Sequence, residues 1–287
     1  MTAFAAAGRR VKRFGVLVTA LLLAAASAAA QPSKDSVREL LQQARAQSSA
    51  GNAAGALESL RRARALAPNS EEVLSALAQV SLAARAPLPA ISVLEPLTRI
   101  CPTVAQYQYL LGVALMQAGD LVAAVEALQQ ARRIEPDREL TLVALGLALN
   151  GRKMYLEAEP HLRRSLELQP GNIETIAALA EAQEGIGNLQ EAESLARRVL
   201  ASSDAHATAN LVLGLVLMKQ ERYTAARDAL IKAIAADPAS SRAHYQLSLA
   251  YARLGDQASS EKHLELYRLK LREMEERANA VRNRTGS

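Results

Sequence analysis

Prolines recur at a fixed interval along the chain. Five of its ten prolines share one phase, because they lie 34 residues apart or at twice that distance: Pro68, Pro102, Pro136, Pro170 and Pro238. Self-similarity at a period of roughly 20–50 residues is the mark of a repeat architecture. The interval therefore predicts seven successive units of 34 residues: 37–70, 71–104, 105–138, 139–172, 173–206, 207–240 and 241–274.

Small and apolar residues recur at fixed places inside each unit. With the shared proline at position 32, positions 8 and 20 hold only Gly, Ala or Ser, and position 24 is Leu in every unit except one, which has Ala196. Apolar residues on both sides of position 15 follow the i, i+3, i+4, i+7 spacing of an amphipathic helix. Each unit thus predicts two closely packed helices, joined by a turn where Gly51, Gly119, Gly187 and Gly255 stand. Because one helix pair cannot bury its apolar face, the pairs are expected to stack.

This pattern resembles the tetratricopeptide repeat (TPR) family, whose unit has 34 residues, small residues at positions 8 and 20, and proline at position 32. The resemblance spans residues 37–274, but no Trp stands at position 4 and only Tyr251 provides Tyr at position 11. It implies an all-α, right-handed solenoid of about seven stacked helix-turn-helix units with a C-terminal capping helix. Residues 275–287 are expected to form the end of that helix and a disordered tail.

The N-terminus has the order of a secretory signal. Basic residues 9–13, RRVKR, precede the uncharged stretch FGVLVTALLLAAASAAA at 14–30, which ends in small side chains. This order predicts a signal peptide at 1–30, cleaved before Gln31, and a short linker at 31–36. The predicted localisation is therefore secreted or periplasmic. An uncleaved membrane anchor is the alternative, although 17 residues are few for a span that needs about 20.

Charge and motif content exclude several classes of protein. The formal net charge is +5, but from residue 31 onward 30 basic residues face 29 acidic ones, which disfavours a nucleic-acid partner. One cysteine precludes an intrachain disulfide. The four histidines share no metal-ligand spacing, and no nucleophile or phosphate-binding motif is present. The chain is therefore predicted not to be an enzyme and to use neither a cofactor nor a metal.

The resemblance also implies a binding groove, lined by the first helix of each unit at positions 2, 5, 9, 12 and 13. The residues at these positions that we predict to contact a partner are Tyr109, Val113, Met116, Val143, Leu147, Glu181, Glu184, Leu211, Leu215, Met218 and Tyr245. An apolar strip interrupted by two acids would suit a partner segment with apolar anchors and one basic residue. Equally, part of the strip could pack between neighbouring helices.

The resulting hypothesis is an exported TPR adaptor that binds a peptide or protein in its concave groove, within an envelope assembly, secretion or polysaccharide-export system. The sequence does not identify the partner. The alternative is a structural solenoid that self-associates through its ends or its C-terminal helix. Membrane contact would come only through an uncleaved N-terminal segment, and a homo-oligomer is compatible with either hypothesis.

Overall fold

The computed structural model describes residues 34–285, with side chains described for residues 36–276. Within this part the chain forms fourteen α-helices and no strand. They are α1 Lys34–Ser49, α2 Ala53–Leu66, α3 Glu71–Ala83, α4 Pro87–Ile100, α5 Ala105–Ala118, α6 Leu121–Ile134, α7 Glu139–Gly151, α8 Tyr155–Leu168, α9 Ile173–Ile186, α10 Leu189–Ser202, α11 Ala207–Lys219, α12 Tyr223–Ala236, α13 Ser241–Arg253 and α14 Gln257–Thr285. The predicted signal peptide lies outside the described residues, as do residues 286–287 of the predicted tail.

Each 34-residue segment carries two of these helices, an odd-numbered first helix and an even-numbered second helix. The recurring prolines follow the second helices, as when α6 ends at Ile134 two residues before Pro136. Proline has no backbone N–H and is common just beyond a helix end, so it stops the helix there. The prediction of an all-α solenoid built from helix pairs is confirmed.

The turn between the two helices of each segment has one backbone conformation throughout. All seven residues at position 15 have positive φ, and the values lie between 51° and 103°. Glycine takes this conformation at Gly51, Gly119, Gly187 and Gly255, but Arg85, Lys153 and Glu221 take it in the intervening segments. A side chain with a Cβ is strained in this region. The turn geometry is therefore set by the helix pair, since it persists where glycine is absent.

The chain divides into two compact units, and the boundary lies inside α3, between Ala76 and Leu77. The first unit contains α1, α2 and the start of α3, with Leu41, Ala56 and Leu60 buried in its core. In the second unit each helix from α4 to α14 packs against the next, and successive first helices from α5 to α13 also contact each other. The candidate groove residues all belong to this second unit.

Close approach of paired helices explains the small residues at position 8. A Cβ built on Gly146 would lie 2.4 Å from Cδ2 of Leu162, a residue at position 24 that is fully buried. The same contact recurs between Gly112 and Leu128 and between Gly214 and Leu230. The position 20 alanines from Ala56 to Ala226 are fully buried as well. Small side chains at these positions thus let the backbones approach until a leucine fills the remaining space.

Candidate functional site

The predicted groove residues lie on five first helices, α5, α7, α9, α11 and α13. Because each of these helices packs against the next, their residues at equivalent positions follow one another along one surface. We call this surface the candidate groove. Its character changes along its length, since the part on α5 and α7 is apolar and partly exposed, whereas the part on α9, α11 and α13 is held by ion pairs.

Apolar side chains remain accessible on α5 and α7. Leu147 is 38% exposed, and Leu140, at position 2 of the same helix, is 51% exposed. Val113 and Val143 are half-buried. Tyr109 and Met116 pack against the core formed by α6, α7, α8 and α9. Some residues of this strip therefore pack internally, whereas the leucines of α7 face solvent, and their contact with a partner stays a prediction.

Tyr109 is held in place by an arginine that directly precedes α7. The guanidinium of Arg138 lies over the Tyr109 ring at 5.0 Å from its centroid and also donates to the side-chain oxygen of Gln106. Glu135 lies 3.7 Å from Arg138. Burial raises the pKa of the Tyr109 hydroxyl, and the positive charge of Arg138 opposes that rise. The ring is thus a neutral, partly buried surface element whose position is fixed.

Glu181 and Glu184, one turn apart on α9, are both bound by cations from the chain itself. Arg242 on α13 donates from Nη1 to Glu181 Oε1 at 2.8 Å and from Nη2 to Glu184 Oε2 at 2.7 Å. Lys219, at the end of α11, lies with Nζ 2.8 Å from Glu184 Oε1 and donates to the Glu184 carbonyl oxygen. We call these four residues the Arg242 bridge.

The two carboxylates of the Arg242 bridge are more shielded from water than its cations, since the side chains of Arg242 and Lys219 are 35% and 47% exposed. The side chain of Glu184 is 5% exposed and that of Glu181 is 23% exposed. Burial raises the pKa of Glu181, and Arg242 opposes this rise. Burial likewise raises the pKa of Tyr155, and the charges of Arg242, Glu181 and Glu184 also act on it. Since a buried carboxylate requires a paired cation, the two positive and two negative charges stabilise each other.

This arrangement changes the interpretation of the two acids. The sequence suggested that they would receive a basic residue from a partner, but Arg242 and Lys219 already occupy them. These two cations stand at positions 2 and 13 of their units, which belong to the same set of ligand-facing positions. The positional rule therefore could have identified both, although it could not show that they reach the acids.

The α11 part of the candidate groove is more closed than the α7 part. Leu215 and Leu147 share position 9, yet Leu215 is 5% exposed against 38% for Leu147. Leu211 and Met218 are half-buried and pack against the core around Leu230 and Leu247. Leu215 is therefore buried in this structure, and its contact with a partner stays a prediction.

Aromatic residues and two histidines pack α13 against α14. Tyr245 is 38% exposed, and its ring centroid lies 5.1 Å from that of Tyr267. His244 and His263 are stacked with Nδ1 atoms 3.1 Å apart, and His263 also stacks on Tyr251. Burial lowers the pKa of His263, as does the neighbouring His244. The sequence did not reveal this histidine pair, because its members are 19 residues apart and share no ligand spacing.

The described part of the chain offers neither a metal site nor a membrane span. There, no three His, Cys, Asp or Glu residues lie close enough to hold a metal ion. None of the helices in residues 34–285 is both long and apolar enough to cross a bilayer. The apolar stretch at 14–30 lies outside these residues, so its two interpretations stay open.

Known proteins share the repeat. A family model described as tetratricopeptide repeat matches residues 90–139, 177–231 and 211–270, and a second model with that description matches 40–70. A tetratricopeptide repeat protein from Parabacteroides merdae is similar over 86% of this chain and 99% of its own, with 13% identity and a TM-score of 0.69. The APC/C hetero-tetramer Cut9–Hcn1 contains a chain that is similar over 76% of this one and 43% of its own, with 18% identity and a TM-score of 0.62. No curated relative matches the chain.

Proposed function

Because the chain belongs to the tetratricopeptide repeat family, we propose that it is an exported, non-catalytic adaptor that binds a peptide or protein segment in its candidate groove. The family fold is consistent with a protein–protein interaction scaffold. The observation that carries the groove proposal is the exposed apolar surface of α7, where Leu140 and Leu147 face solvent at two ligand-facing positions. The two leucines lie two helical turns apart, and exposed apolar surface of this kind is typical of a contact surface.

The chemistry of this surface defines the partner segment. At positions 2, 5, 9, 12 and 13, α5 and α7 carry no charged residue; the ten residues are Gln106, Tyr109, Val113, Met116, Gln117, Leu140, Val143, Leu147, Asn150 and Gly151. An uncharged surface with a fixed tyrosine favours apolar or aromatic anchors. The proposed partner therefore packs apolar side chains against the accessible face of α5 and α7.

Site-specific photo-crosslinking in the native host tests this proposal. A photoreactive residue at Leu147 should form a discrete adduct with a partner, whereas one at Leu156 should not. Leu156 is a matched control because it is an even more exposed leucine, 73% accessible, but lies on the second helix α8. Equal crosslinking from both positions would contradict a binding role for the groove.

Affinity for the crosslinked partner then measures the contribution of the groove. Burying a leucine side chain against a partner is worth about 1.5–3 kcal/mol, so Leu147→Ala should weaken binding by roughly tenfold or more. Leu156→Ala should leave the affinity unchanged. If Leu147→Ala folds and binds like the wild type, the segment binds elsewhere.

Export is proposed from the N-terminal sequence alone. Its basic, apolar and small-residue segments support a cleaved signal peptide, and the proposed location is the periplasm or the outside of the cell. An envelope assembly, secretion or polysaccharide-export system would be a fitting context. Intact mass of the exported protein should correspond to a chain that starts at Gln31, and a retained 1–30 segment in the membrane fraction would contradict the proposal.

A second candidate function is self-association through the C-terminal end. Three apolar side chains on α13 and α14 are exposed: Leu249 at 37%, Leu269 at 41% and Met274 at 56%. This surface favours a structural solenoid whose ends contact one another. If this candidate is correct, the molecular mass of the purified mature protein in solution should increase with protein concentration. If the protein acts only as an adaptor, its mass should remain that of a monomer.

A further inference from the structure

The Arg242 bridge connects helices that are not consecutive in the stack. Among the first helices, α9 contacts α11 and α11 contacts α13, so α11 lies between the two ends of the bridge in the packing order. Arg242 is 61 residues from Glu181 and 58 from Glu184, which is nearly two repeats. In a solenoid each repeat normally contacts only its neighbours. The bridge therefore adds a restraint that nearest-neighbour packing does not supply.

The bridge coincides with the closed section of the candidate groove. Leu215 lies on α11, between the helices that the bridge joins, and is 5% exposed, whereas Leu147 at the equivalent position of α7 is 38% exposed. Both residues are leucines at position 9, so residue type does not account for the difference. The difference therefore arises in the surroundings. The bridge joins α9 to α13 on either side of α11, whereas no described ion pair joins α5 to α9 on either side of α7.

We propose that Arg242 is a latch that closes the α11 section of the candidate groove in the free protein, and that a bound segment opens it by placing its own cationic side chain on Glu181 and Glu184. The second half of this proposal rests on the proposed adaptor function. Opening exposes Leu211, Leu215 and Met218 and extends the groove beyond α5 and α7.

Charge complementarity defines what can open the latch. Glu184 forms ion pairs with Lys219 through Oε1 and with Arg242 through Oε2, and Glu181 forms an ion pair with Arg242. Simple removal of Arg242 would leave a buried carboxylate without a full partner, which is unfavourable. An arginine or lysine from the bound segment restores the balance, so exchange of one cation for another costs little. The partner segment therefore carries one basic residue followed or preceded by apolar anchors.

Distances between spin labels test the latch without any partner. Residues Glu126, Ser194 and Lys262 are exposed and share position 22 on α6, α10 and α14. In a Cys101→Ser background, the label pair 194–262 spans the bridge, and the pair 126–194 spans two repeats without it. Arg242→Gln should lengthen and broaden the 194–262 distance distribution and leave the 126–194 distribution unchanged.

Two further variants make the distance result decisive. Arg253→Gln removes an arginine of the same helix that takes no part in the bridge, so it should leave both distributions unchanged. Glu181→Gln combined with Glu184→Gln removes both carboxylates that accept from Arg242. This double variant should reproduce the effect of Arg242→Gln, and adding Arg242→Gln to it should change nothing further. The double variant also tests the latch if Arg242→Gln does not fold. An unchanged 194–262 distribution in folded Arg242→Gln protein, or in the folded double variant of Glu181 and Glu184, would overturn the latch.

Cation exchange is tested with ethylguanidinium chloride as the probe. At equal low concentration it should raise the melting temperature of Arg242→Ala more than sodium chloride does, because it can occupy the vacated carboxylates. It should have no such effect on the wild type or on Arg242→Ala combined with Glu181→Gln and Glu184→Gln. Equal responses to both salts in Arg242→Ala would overturn the exchange, while binding at Leu147 would be unaffected by that result.

Discussion

Substitution of Gly146 by alanine tests the close packing of each helix pair. A Cβ at this position would lie 2.4 Å from Cδ2 and 2.6 Å from Cγ of Leu162, closer than carbon atoms can approach. Leu162 is fully buried and cannot rotate into solvent. The added methyl group must therefore displace Leu162 or separate α7 from α8.

Two opposing effects determine how far Gly146→Ala changes the free energy of unfolding. Overpacking of a well-packed core costs about 1–3 kcal/mol, whereas replacing glycine by alanine inside a helix contributes about 1 kcal/mol of stability. We therefore expect the free energy of unfolding to fall by up to about 2 kcal/mol. Leucine at the same position should cost more, because three further carbons have no space.

Thermal unfolding followed by helical circular dichroism measures this loss. Gly171→Ala is the matched control, since no atom lies within 4 Å of its added Cβ, and it should change stability by less than about 0.5 kcal/mol. In a Leu162→Ala background the contact is absent, so Gly146→Ala should become neutral or stabilising. If Gly146→Ala has the same effect in the wild-type and the Leu162→Ala backgrounds, the proposed contact between positions 8 and 24 is wrong.

Three other predictions concern local features. Lys153→Gly should raise the free energy of unfolding by about 1 kcal/mol, because φ of +61° is strained for a residue with a Cβ, and Lys153→Ala should not; chemical denaturation compares the two. Asp120→Ala should cost about 1 kcal/mol in the same assay, because the carboxylate of Asp120 accepts the Ala123 N–H at the start of α6, and Asp120→Asn should retain most of that stability. Burial and His244 lower the pKa of His263, so the unfolded chain takes up a proton more readily and stability should decline as pH falls below about 6.5. A titration of melting temperature should show a weaker decline in His263→Asn, and an identical decline would contradict a role for this pair.

Local signals in the sequence predicted the repeat because each acts within a few residues. Pro136 stops the helix that ends at Ile134, and Gly119 permits the left-handed turn between α5 and α6. The turns at Lys153 and Glu221 carry no such signal, because there the packed helix pair imposes a conformation that the residue itself disfavours. The 34-residue phase alone predicted turns at those two places.

The candidate groove was less predictable, because exposure depends on contacts between repeats. The positional rule treated Leu147 and Leu215 alike, yet the structure exposes one and buries the other. Likewise, the sequence shows Glu184 and Arg242 as two charged residues 58 positions apart, and only the stacking of α9, α11 and α13 brings them together. Periodicity specifies the face on which a residue lies, but not which neighbour covers it.

The alternation of turn residues has a consequence for proteolysis. Two of the strained turns carry a basic residue, Arg85 and Lys153, after which trypsin cleaves, and strained, exposed turns open more readily than helices. Limited digestion of the folded protein should therefore begin at these two places. The fragment between them, residues 86–153, is 68 residues long and equals two repeats, so the two cuts would release a piece two repeats long rather than a single unit.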